Sequence, residues 1–283
     1  EYGMVFHFSM NKPKLMIADI DGTLMPKGEG ISPLTKEMLS KMHDAGIWFC
    51  IASGRPLEEV KMSLESYALD FVPEFIVGMN GAEIEDTMDQ SSDVLYLMEP
   101  ETIQTIVQAM KDQPCNITQY REQKMLYAQY YDELVEYSSQ RAGKTPHIVK
   151  SVAEFYEHPN AKLMFRTEEN HVCDVLEAYA KGLNIEGVRF FKTQTNLLEA
   201  CDERVHKGAA LEWICSKYGI DFQDVLACGD ASNDNEMIEM AGTGLVLKGG
   251  LPDTLALADA ITDDTCENDG LPKWIHRHLG QYL

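Results

Sequence analysis

The stretch MIADIDGTLM, residues 16–25, carries an apolar run straight into two aspartates, Asp19 and Asp21, and then into Gly-Thr. Two carboxylates that face the same way repel each other, so a cation must lie beside them or one must hold a proton. The pattern therefore indicates a chemical site at the end of a buried strand. The alternative is a turn in which Asp21 and Gly22 supply the bend and Asp19 accepts backbone hydrogen bonds.

The composition is that of a globular chain with a strong acidic bias. The chain has 283 residues, 45% of them hydrophobic, and a formal net charge of −22. Such a chain can bury a sizeable core. Nucleic-acid binding rests on clustered Lys and Arg, so we expect no nucleic-acid partner. An anionic substrate would need a local positive site.

The cysteines and the first residues bear on the cellular compartment. The seven cysteines show no CxxC spacing, which is typical of reduced thiols and predicts a cytoplasmic protein. Residues 1–13 contain a short apolar patch without a basic head or a long apolar stretch. We interpret them as an N-terminal extension that is neither a signal peptide nor a membrane segment, and we expect no membrane partner.

Apolar segments that end in polar residues alternate with helical segments in the first part of the chain. The apolar segments are KLMIADI, IWFCIAS and EFIVGMNGA, and the helical ones are ISPLTKEMLSKMHDAG and LEEVKMSLESY. This alternation predicts an α/β fold with a doubly wound parallel sheet, in which ligands bind at the carboxyl ends of strands. We therefore expect Asp19, Asp21, Ser53 and Asn80 at one edge.

The pattern changes in the middle of the chain and then returns. From about Glu83, strand-like segments such as NITQY and AKLMFR are mixed with helical ones, which predicts an inserted α+β domain of ordinary size. The doubly wound pattern resumes after NLLEACD. We place the core domain at residues 14–82 and 196–283 and the inserted domain at residues 83–195.

The later core segments add polar residues at the ends of predicted elements. HKGAAL begins a helix at Lys207, and DVLACGD ends a strand at Asp230, followed by Asn233 and Asp234. Phosphoryl oxygens are held by hydroxyl, ammonium and backbone N–H donors, and Mg²⁺ prefers carboxylate and phosphate oxygens. These residue types in this order indicate phosphoryl transfer.

Four of these segments, DIDGTL, ASGR, HKGAAL and GDASND, together resemble the four motifs of the haloacid dehalogenase superfamily of phosphatases. Only 31 residues separate Asp21 from Ser53, whereas 153 separate Ser53 from Lys207, so an inserted cap fits only between the second and third motifs. This arrangement, with MNGA and TCENDGLPKWI, resembles the Cof-type (class IIB) subfamily. The resemblance implies a Rossmann-like core with an α+β cap. It also implies a hydrolase, a Mg²⁺-dependent phosphatase acting on small phosphorylated metabolites such as sugar phosphates or pyridoxal phosphate.

The resemblance also implies roles for the acidic residues. Asp19 is expected to be the nucleophile that forms an aspartyl-phosphate, and Asp21 the acid that protonates the leaving oxygen and then activates water. The expected metal site draws on Asp19, Asp21, Asp230 and Asp234, with Mg²⁺ as the cofactor.

The other candidates are expected to hold the phosphoryl group or to line the mouth of the site. They are Ser53, Gly54, Arg55, Asn80, Gly81, Lys207 and Asn233. How Asn233 and Asp234 divide metal ligation and the orientation of Lys207 is left open by the sequence. Arg55 could equally be a surface charge, and Asn80 and Gly81 a plain turn.

Substrate recognition is less defined than the phosphoryl chemistry. Four basic residues of the middle block, Arg121, Lys124, Lys162 and Arg166, could face substrate or solvent. After the GLVL strand the subfamily often shows a Gly-Asn-Ala turn, whereas this chain has residues 248–250, Lys-Gly-Gly. That departure concerns cap closure or substrate shape.

Other functions share parts of this pattern. A phosphomutase also forms an aspartyl-phosphate but returns the phosphoryl group, and a sensor could bind a phosphorylated ligand without chemistry. A signalling receiver uses similar residues but lacks a second Asp two positions after the nucleophile and a large inserted domain. The oligomeric state is left open between monomer and homodimer.

Overall fold

The computed structural model describes residues 8–122 and 124–283. The described strands are β1 (Leu15–Ala18), β2 (Trp48–Ala52), β3 (Phe75–Gly78), β4 (Glu83–Asp86), β5 (Ser91–Val94), β6 (Asn116–Arg121), β7 (Met125–Ala128), β8 (Thr145–Ile148), β9 (Lys162–Arg166), β10 (Val188–Gln194), β11 (Leu197–Asp202), β12 (Val225–Gly229), β13 (Thr243–Lys248) and β14 (Ala260–Thr265). The described helices are α1 (Pro33–Asp44), α2 (Leu57–Tyr67), α3 (Pro100–Met110), α4 (Glu133–Ala142), α5 (Asn170–Gly182), α6 (Lys207–Tyr218), α7 (Asn235–Met240), α8 (Pro252–Leu257) and α9 (Gly270–Leu279).

The chain divides into two compact units. The larger unit comprises the residues up to Asp93 and those from His206 to Leu283, and the smaller unit comprises Val94–Val205. In the larger unit an eight-stranded sheet has the order β14-β13-β12-β1-β2-β3-β4-β5. The run from β14 to β3 pairs in parallel, and β4 adds to β3 in antiparallel fashion. The predicted α/β fold with a doubly wound parallel sheet is confirmed.

Local sequence explains how this sheet is built. All four residues of β1 are buried, as expected of a strand covered on both faces. Ser32 caps α1 by accepting a hydrogen bond from the backbone of Thr35, and Pro33 occupies the first turn, where its missing N–H costs nothing. Apolar side chains of α1 and α9, among them Met38 and Trp274, join the core cluster on one face of the sheet.

The order of the strands reverses beside β1. The chain runs outward from β1 through β2 and β3 on one side, and from β12 through β13 and β14 on the other. Such a reversal opens a crevice at the carboxyl ends of the two central strands, where ligands bind in doubly wound folds. The residues that follow β1 and β12 therefore meet there.

The smaller unit holds a second sheet of six strands, in the order β10-β11-β9-β6-β7-β8. Its pairs are antiparallel except for β7 with β8. Apolar residues of α3 and α5, such as Ile106 and Leu176, pack with those of the strands in one cluster on one face. A smaller cluster that includes Val135 of α4 covers part of the other face.

The boundaries between the two units lie later in the sequence than we expected. The divisions lie after Asp93 and after Val205, rather than after residues 82 and 195. At the first division, β4 extends the large sheet, although its sequence EIED is polar and short. At the second, β11 pairs with β9 and β10 in the small sheet.

The start of the chain lies only partly within the described residues. Of the expected extension 1–13, residues 1–7 lie outside them. The ring of Phe8 packs at a tilt against Trp274 with ring centroids 5.5 Å apart, and the backbone oxygen of Met10 accepts a hydrogen bond from Tyr282. Across the described ranges, each helix is too short or too polar to cross a membrane.

Candidate active site

Lys207 joins two aspartates that come from different strands and loops of the larger unit. Its Nζ donates hydrogen bonds to Oδ1 of Asp19 and to Oδ1 of Asp234, both at 2.7 Å. Asp19 directly follows β1, and Lys207 is the first residue of α6. The lysine side chain is fully buried. An ammonium buried this deeply is held in place by its anionic partners.

Asp234 is saturated by protein donors. Its second oxygen, Oδ2, accepts hydrogen bonds from the backbone N–H of Asp230 at 2.9 Å and of Ala231 at 3.2 Å. Asp234 thus fixes both the direction of Lys207 and the loop that carries Asp230. Thr23 in turn donates to Oδ1 of Asp230 at 3.0 Å.

Three carboxylates form what we call the carboxylate cluster: Asp19, Asp230 and Asp234. Within the described residues, one ligand atom of each lies within 4.8 Å of the others, a spacing that allows one metal ion to be shared. Gly22, with a φ of +82°, makes this possible, because a Cβ there would lie 2.3 Å from Oδ2 of Asp230. Hard carboxylate oxygens at this spacing suit Mg²⁺.

The charges in the cluster oppose one another strongly. Burial, followed by the negative charge of Asp234, raises the pKa of Asp19 well above its usual range, although Lys207 acts in the opposite direction. Burial and Asp234 likewise raise the pKa of Asp230 to about 6. Burial alone would lower the pKa of Lys207, but Asp19 and Asp234 raise it above its ordinary value. A divalent cation beside Asp19 and Asp230 would relieve this repulsion.

Asp21 points to a different partner. Both of its carboxylate oxygens accept hydrogen bonds from Nη2 of Arg55, at 2.9 and 2.7 Å. Arg55 also donates from Nη1 to Ser63 Oγ at 3.3 Å, so its guanidinium is anchored on α2. Burial alone would lower the pKa of Arg55, but Asp21 raises it. The side chain of Asp21 is not part of the described carboxylate cluster.

Ser53, Asn80 and Asn233 form a connected row at the ends of β2, β3 and β12. The buried Ser53 accepts from the backbone N–H of Arg55 through Oγ, and its carbonyl accepts from the backbone N–H of Asn80. Asn80 Oδ1 accepts from Asn233 Nδ2 at 3.1 Å. This row of hydrogen bonds agrees with our expectation that these strand ends lie at one edge of the sheet.

The glycines predicted for the site have packing roles in the structure. Gly54 lies against the side chain of Asn80. Gly81 has a φ of +105°, and a Cβ there would lie 2.2 Å from the backbone oxygen of His206. A side chain at residue 81 would therefore push against the start of α6, the turn that presents Lys207.

Two features of the site were missed by sequence reasoning, and a third, the loop at residues 248–250, was expected only to affect cap closure or substrate shape. His206 caps α6, because its Nδ1 accepts from the backbone N–H of Ala209 at 3.0 Å, yet histidine is not among the usual capping residues. Thr23 was not recognised as a partner of Asp230. The loop at residues 248–250 also approaches the site, because the N–H of Leu251 just after it donates to the backbone oxygen of Asp230 at 2.8 Å.

Comparison with known proteins extends this picture. The family model of haloacid dehalogenase-like hydrolases matches residues 16–275. The chain belongs to this family. The match covers the smaller unit and the segments of the larger unit that precede and follow it in the sequence. It includes every predicted site residue.

Named relatives and solved structures agree with the family. The chain is 24% identical over 240 residues to an HMP-PP phosphatase of Cronobacter sakazakii, covering 84% of this chain and 85% of that protein. It is 25% identical over 272 residues to 5-amino-6-(5-phospho-D-ribitylamino)uracil phosphatase YitU of Bacillus subtilis, with 95% and 98% covered. Its fold is similar to a haloacid dehalogenase-like hydrolase from Bacteroides thetaiotaomicron, with a TM-score of 0.80, 22% identity, and 94% and 99% of the chains covered.

These comparisons confirm the predicted superfamily and its Cof type, and they identify the chain as a phosphatase. The individual roles of the site residues stay predictions. The structure brings Asp19, Lys207, Asp230 and Asp234 into one cluster and pairs Asp21 with Arg55. Between Asn233 and Asp234, it is Asp234 that contacts Lys207.

Proposed function

We propose that this chain is a Mg²⁺-dependent phosphatase that hydrolyses small phosphorylated metabolites through an aspartyl-phosphate at Asp19. The observation that carries the proposal is the contact of the buried Lys207 with Asp19 inside the carboxylate cluster. This arrangement supplies a nucleophile, a fixed positive charge and metal-ligating oxygens within one small volume.

Asp19 is the proposed nucleophile because it is the cluster residue at the end of the central strand. Its carboxylate attacks the phosphorus atom, the bond between phosphorus and the leaving oxygen breaks, and the phosphoryl group is transferred to Asp19. Lys207 places a positive charge against the charge that develops on the phosphoryl oxygens. Asp234 has no part in bond making and keeps Lys207 in position.

Asp19 and Asp230 are the proposed ligands of Mg²⁺, and Asp234 completes the acidic surroundings. When bound, the ion would neutralise the phosphate so that a carboxylate can approach it. The raised pKa values of Asp19 and Asp230 fit this assignment, because closely spaced buried carboxylates are stabilised by a cation. Thr23 donates to Oδ1 of Asp230 and so holds this ligand near the cluster.

Asp21 is the proposed proton carrier. It protonates the leaving oxygen in the first step and takes a proton from the water that hydrolyses the aspartyl-phosphate in the second. Arg55 grips both of its oxygens and so fixes the direction in which the proton can move. Ser53, Asn80 and Asn233 are proposed to donate to phosphoryl oxygens from the neighbouring strand ends.

The substrate class follows from the relatives. Two similar proteins are, by name, phosphatases of an HMP pyrophosphate and of a phosphoribitylamino uracil, both small phosphorylated molecules. We extend that class to this chain, with sugar phosphates and pyridoxal phosphate as members to be tested. Cytoplasmic location and a monomeric or dimeric state stay predictions.

A phosphomutase and a non-hydrolytic sensor are the competing functions. A mutase keeps the phosphoryl group and returns it to a second position, whereas a phosphatase releases inorganic phosphate. A sensor does not need a residue in the position of Asp21, two after the nucleophile and clamped by Arg55. Release of inorganic phosphate therefore separates a phosphatase from both of these alternatives.

The proposal is tested by phosphate release from a panel of sugar phosphates, pyridoxal phosphate, nucleotides and p-nitrophenyl phosphate in the presence of Mg²⁺. Wild type is compared with Asp19→Asn and with Asp112→Asn, a matched change at an exposed aspartate of the smaller unit. We expect turnover of some members by wild type and Asp112→Asn and none by Asp19→Asn. Turnover by Asp19→Asn at the wild-type rate would refute the nucleophile, and no release by any protein would favour a mutase or a sensor.

A further inference from the structure

The smaller unit carries a group of basic residues that the proposed phosphatase reaction does not use. Arg166 at the end of β9 lies near Tyr120 of β6 and near Arg141 in the last turn of α4, and Lys144, just after α4, lies over the Tyr120 ring. We call these four residues the Arg166 cluster. Their concentration is unusual in a chain with a net charge of −22.

The strand register places Tyr120 and Arg166 on the same face of the small sheet. Arg166 pairs with Asn116 across the antiparallel β6 and β9, and side chains at alternate positions of β6 share a face, so Asn116 and Tyr120 point the same way as Arg166. The opposite face is occupied by the apolar side chains that pack with α3 and α5. Tyr120 instead packs against the cluster that includes Val135 of α4.

The helix α4 supplies the rest of the cluster. Arg166 donates from Nη2 to Ser138 Oγ at 3.3 Å. Arg141 lies three residues after Ser138, and residues three apart are neighbours on a helix surface. Lys144 follows the helix, and its Nζ lies 5.2 Å from the centre of the Tyr120 ring.

The nearby carboxylates are already engaged elsewhere. Glu199 accepts hydrogen bonds from Lys162 Nζ at 3.2 and 3.4 Å, in a pair that is buried on both sides, and also from Thr193. Asp132 caps α4 by accepting from the backbone of Val135 at 2.7 Å, and its other oxygen accepts from Asn116.

Arg166 is therefore left with a positive charge that no carboxylate neutralises directly. In the described part of the chain, no carboxylate oxygen lies within 4.0 Å of the Arg166 guanidinium, which is the limit for an ion pair. The side chain is half-buried. Burial and the positive charge of Arg141 lower the pKa of Arg166, although Tyr120 and Asp132 act in the opposite direction. A half-buried guanidinium beside a second cation is costly in the free protein and favourable once an anion is present.

We propose that the Arg166 cluster is an anion-binding site that takes a carboxylate or phosphate group of a small metabolite. A guanidinium can form two parallel hydrogen bonds to either group, and the ammonium of Lys144 adds a second positive charge. The proposal rests on the smaller unit alone and does not depend on the proposed reaction at Asp19. The anion is either a second charged group of the molecule that is hydrolysed or a separate small anion.

The cluster is tested by nuclear magnetic resonance of the arginine Nε–H signals of the whole chain without Mg²⁺. The Arg166 signal is assigned by its loss in Arg166→Gln, and inorganic phosphate and 3-phosphoglycerate are the probes. We expect a saturable shift of that signal, with affinity reduced about tenfold in Arg141→Gln. Arg204→Gln is the matched control, because Arg204 is an exposed arginine of the same unit paired with Asp202. An Arg166 signal that does not shift with either probe would overturn the proposal.

Thermal unfolding of Arg166→Gln separates a binding role from a structural one. A binding arginine that lacks a carboxylate partner can be replaced without loss of stability, whereas a structural one cannot. We expect an unchanged or higher melting temperature together with loss of the anion-induced stabilisation seen in wild type. A large loss of stability with no anion effect in wild type would contradict the proposal.

Kinetics distinguish the two sources of the anion. The ratio of kcat/KM for 3-phosphoglycerate to that for glycerol 3-phosphate compares a substrate with and without a carboxylate. If wild type prefers 3-phosphoglycerate and Arg166→Gln loses that preference, the anion that binds is the carboxylate of the substrate. An unchanged ratio in a variant that has lost anion binding supports a separate anion. Failure of the proposed phosphatase would instead appear as absence of phosphate release in wild type, with the Arg166 signal still shifting.

Discussion

Lys207 Nζ lies 2.7 Å from Oδ1 of Asp19, although the two residues are 188 positions apart in the chain. The contact is possible because α6 begins beside the carboxyl end of β1, with the lysine fully buried. The geometry leaves the carboxylate of Asp19 next to a fixed positive charge, where an attacking oxygen and a phosphoryl group would meet. The proposed function depends on this contact, and the following predictions test its parts.

Replacing Lys207 should lower both the turnover rate and the free energy of unfolding. We expect Lys207→Met to lower kcat by about 10²-fold or more, because one charged donor to the transition state is lost. We expect it to cost about 3 kcal/mol of unfolding free energy, since Asp19 and Asp234 are left buried without their cation. Lys217→Met, at the opposite end of α6, is the control and should keep turnover. Equal turnover by the two variants would contradict the assigned role.

Arg55 should act on the reaction through Asp21. We expect Arg55→Ala to lower kcat about tenfold, which is only part of what general acid–base catalysis contributes to the rate. We expect KM to change less. Arg55→Lys should recover part of the activity, and Arg277→Ala, at an exposed ion pair of the same unit, should not change it. A loss confined to KM would point to phosphate binding instead.

Removal of metal should abolish turnover reversibly. We expect no phosphate release after treatment with EDTA and full recovery on adding Mg²⁺, because the carboxylates of Asp19 and Asp230 repel a phosphate in the absence of a cation. The measurement is phosphate release before chelation, after it and after Mg²⁺ is restored. Undiminished turnover after complete chelation would exclude the metal from the reaction.

The raised pKa of Asp230 predicts a dependence of stability on pH. Its pKa is about 6 in the folded chain and 3.8 ordinarily, so between about pH 4 and pH 6 the folded state binds more protons than the unfolded one. In the presence of EDTA, wild type should therefore lose stability relative to Asp230→Asn as the pH rises through this range. The difference should reach about 3 kcal/mol above pH 6, at about 1.4 kcal/mol for each pKa unit.

Chemical unfolding at a series of pH values measures that difference. Asp112→Asn serves as the control, and its stability should follow wild type at every pH. Adding Mg²⁺ at pH 7 should stabilise wild type more than Asp230→Asn. A constant difference between Asp230→Asn and wild type across the range would show that Asp230 carries no strained charge.

The strand ends were predictable because their physical signal is local. A buried apolar run that stops at Asp19, Ser53 or Asp230 marks the edge of a parallel sheet, and the four motifs place those edges in order. The strands β4 and β5 were assigned to the inserted domain because the sequences EIED and SSDV have no apolar run to mark them. Their place is set by tertiary pairing, of β4 with β3 and of β5 with β4.

The side-chain partners were less accessible from sequence. The bond between Thr23 and Asp230 spans 207 positions, and the clamp of Arg55 on Asp21 depends on the rotamer of a long side chain. His206 as the cap of α6 goes against the usual preference for Ser, Thr, Asp or Asn. The sequence left Asn233 and Asp234 undivided, and only the folded chain places Asp234 on Lys207.

Trapping of the covalent intermediate is the most direct test of Asp19 as the nucleophile. An acyl phosphate is reduced by borohydride to an alcohol, so wild type is quenched with borohydride during turnover and the peptide that contains residues 16–25 is analysed by mass spectrometry. We expect conversion of Asp19, and of no other aspartate, to homoserine when substrate and Mg²⁺ are present. Reduction at Asp21 or Asp230, or sustained phosphate release without modification of Asp19, would contradict it.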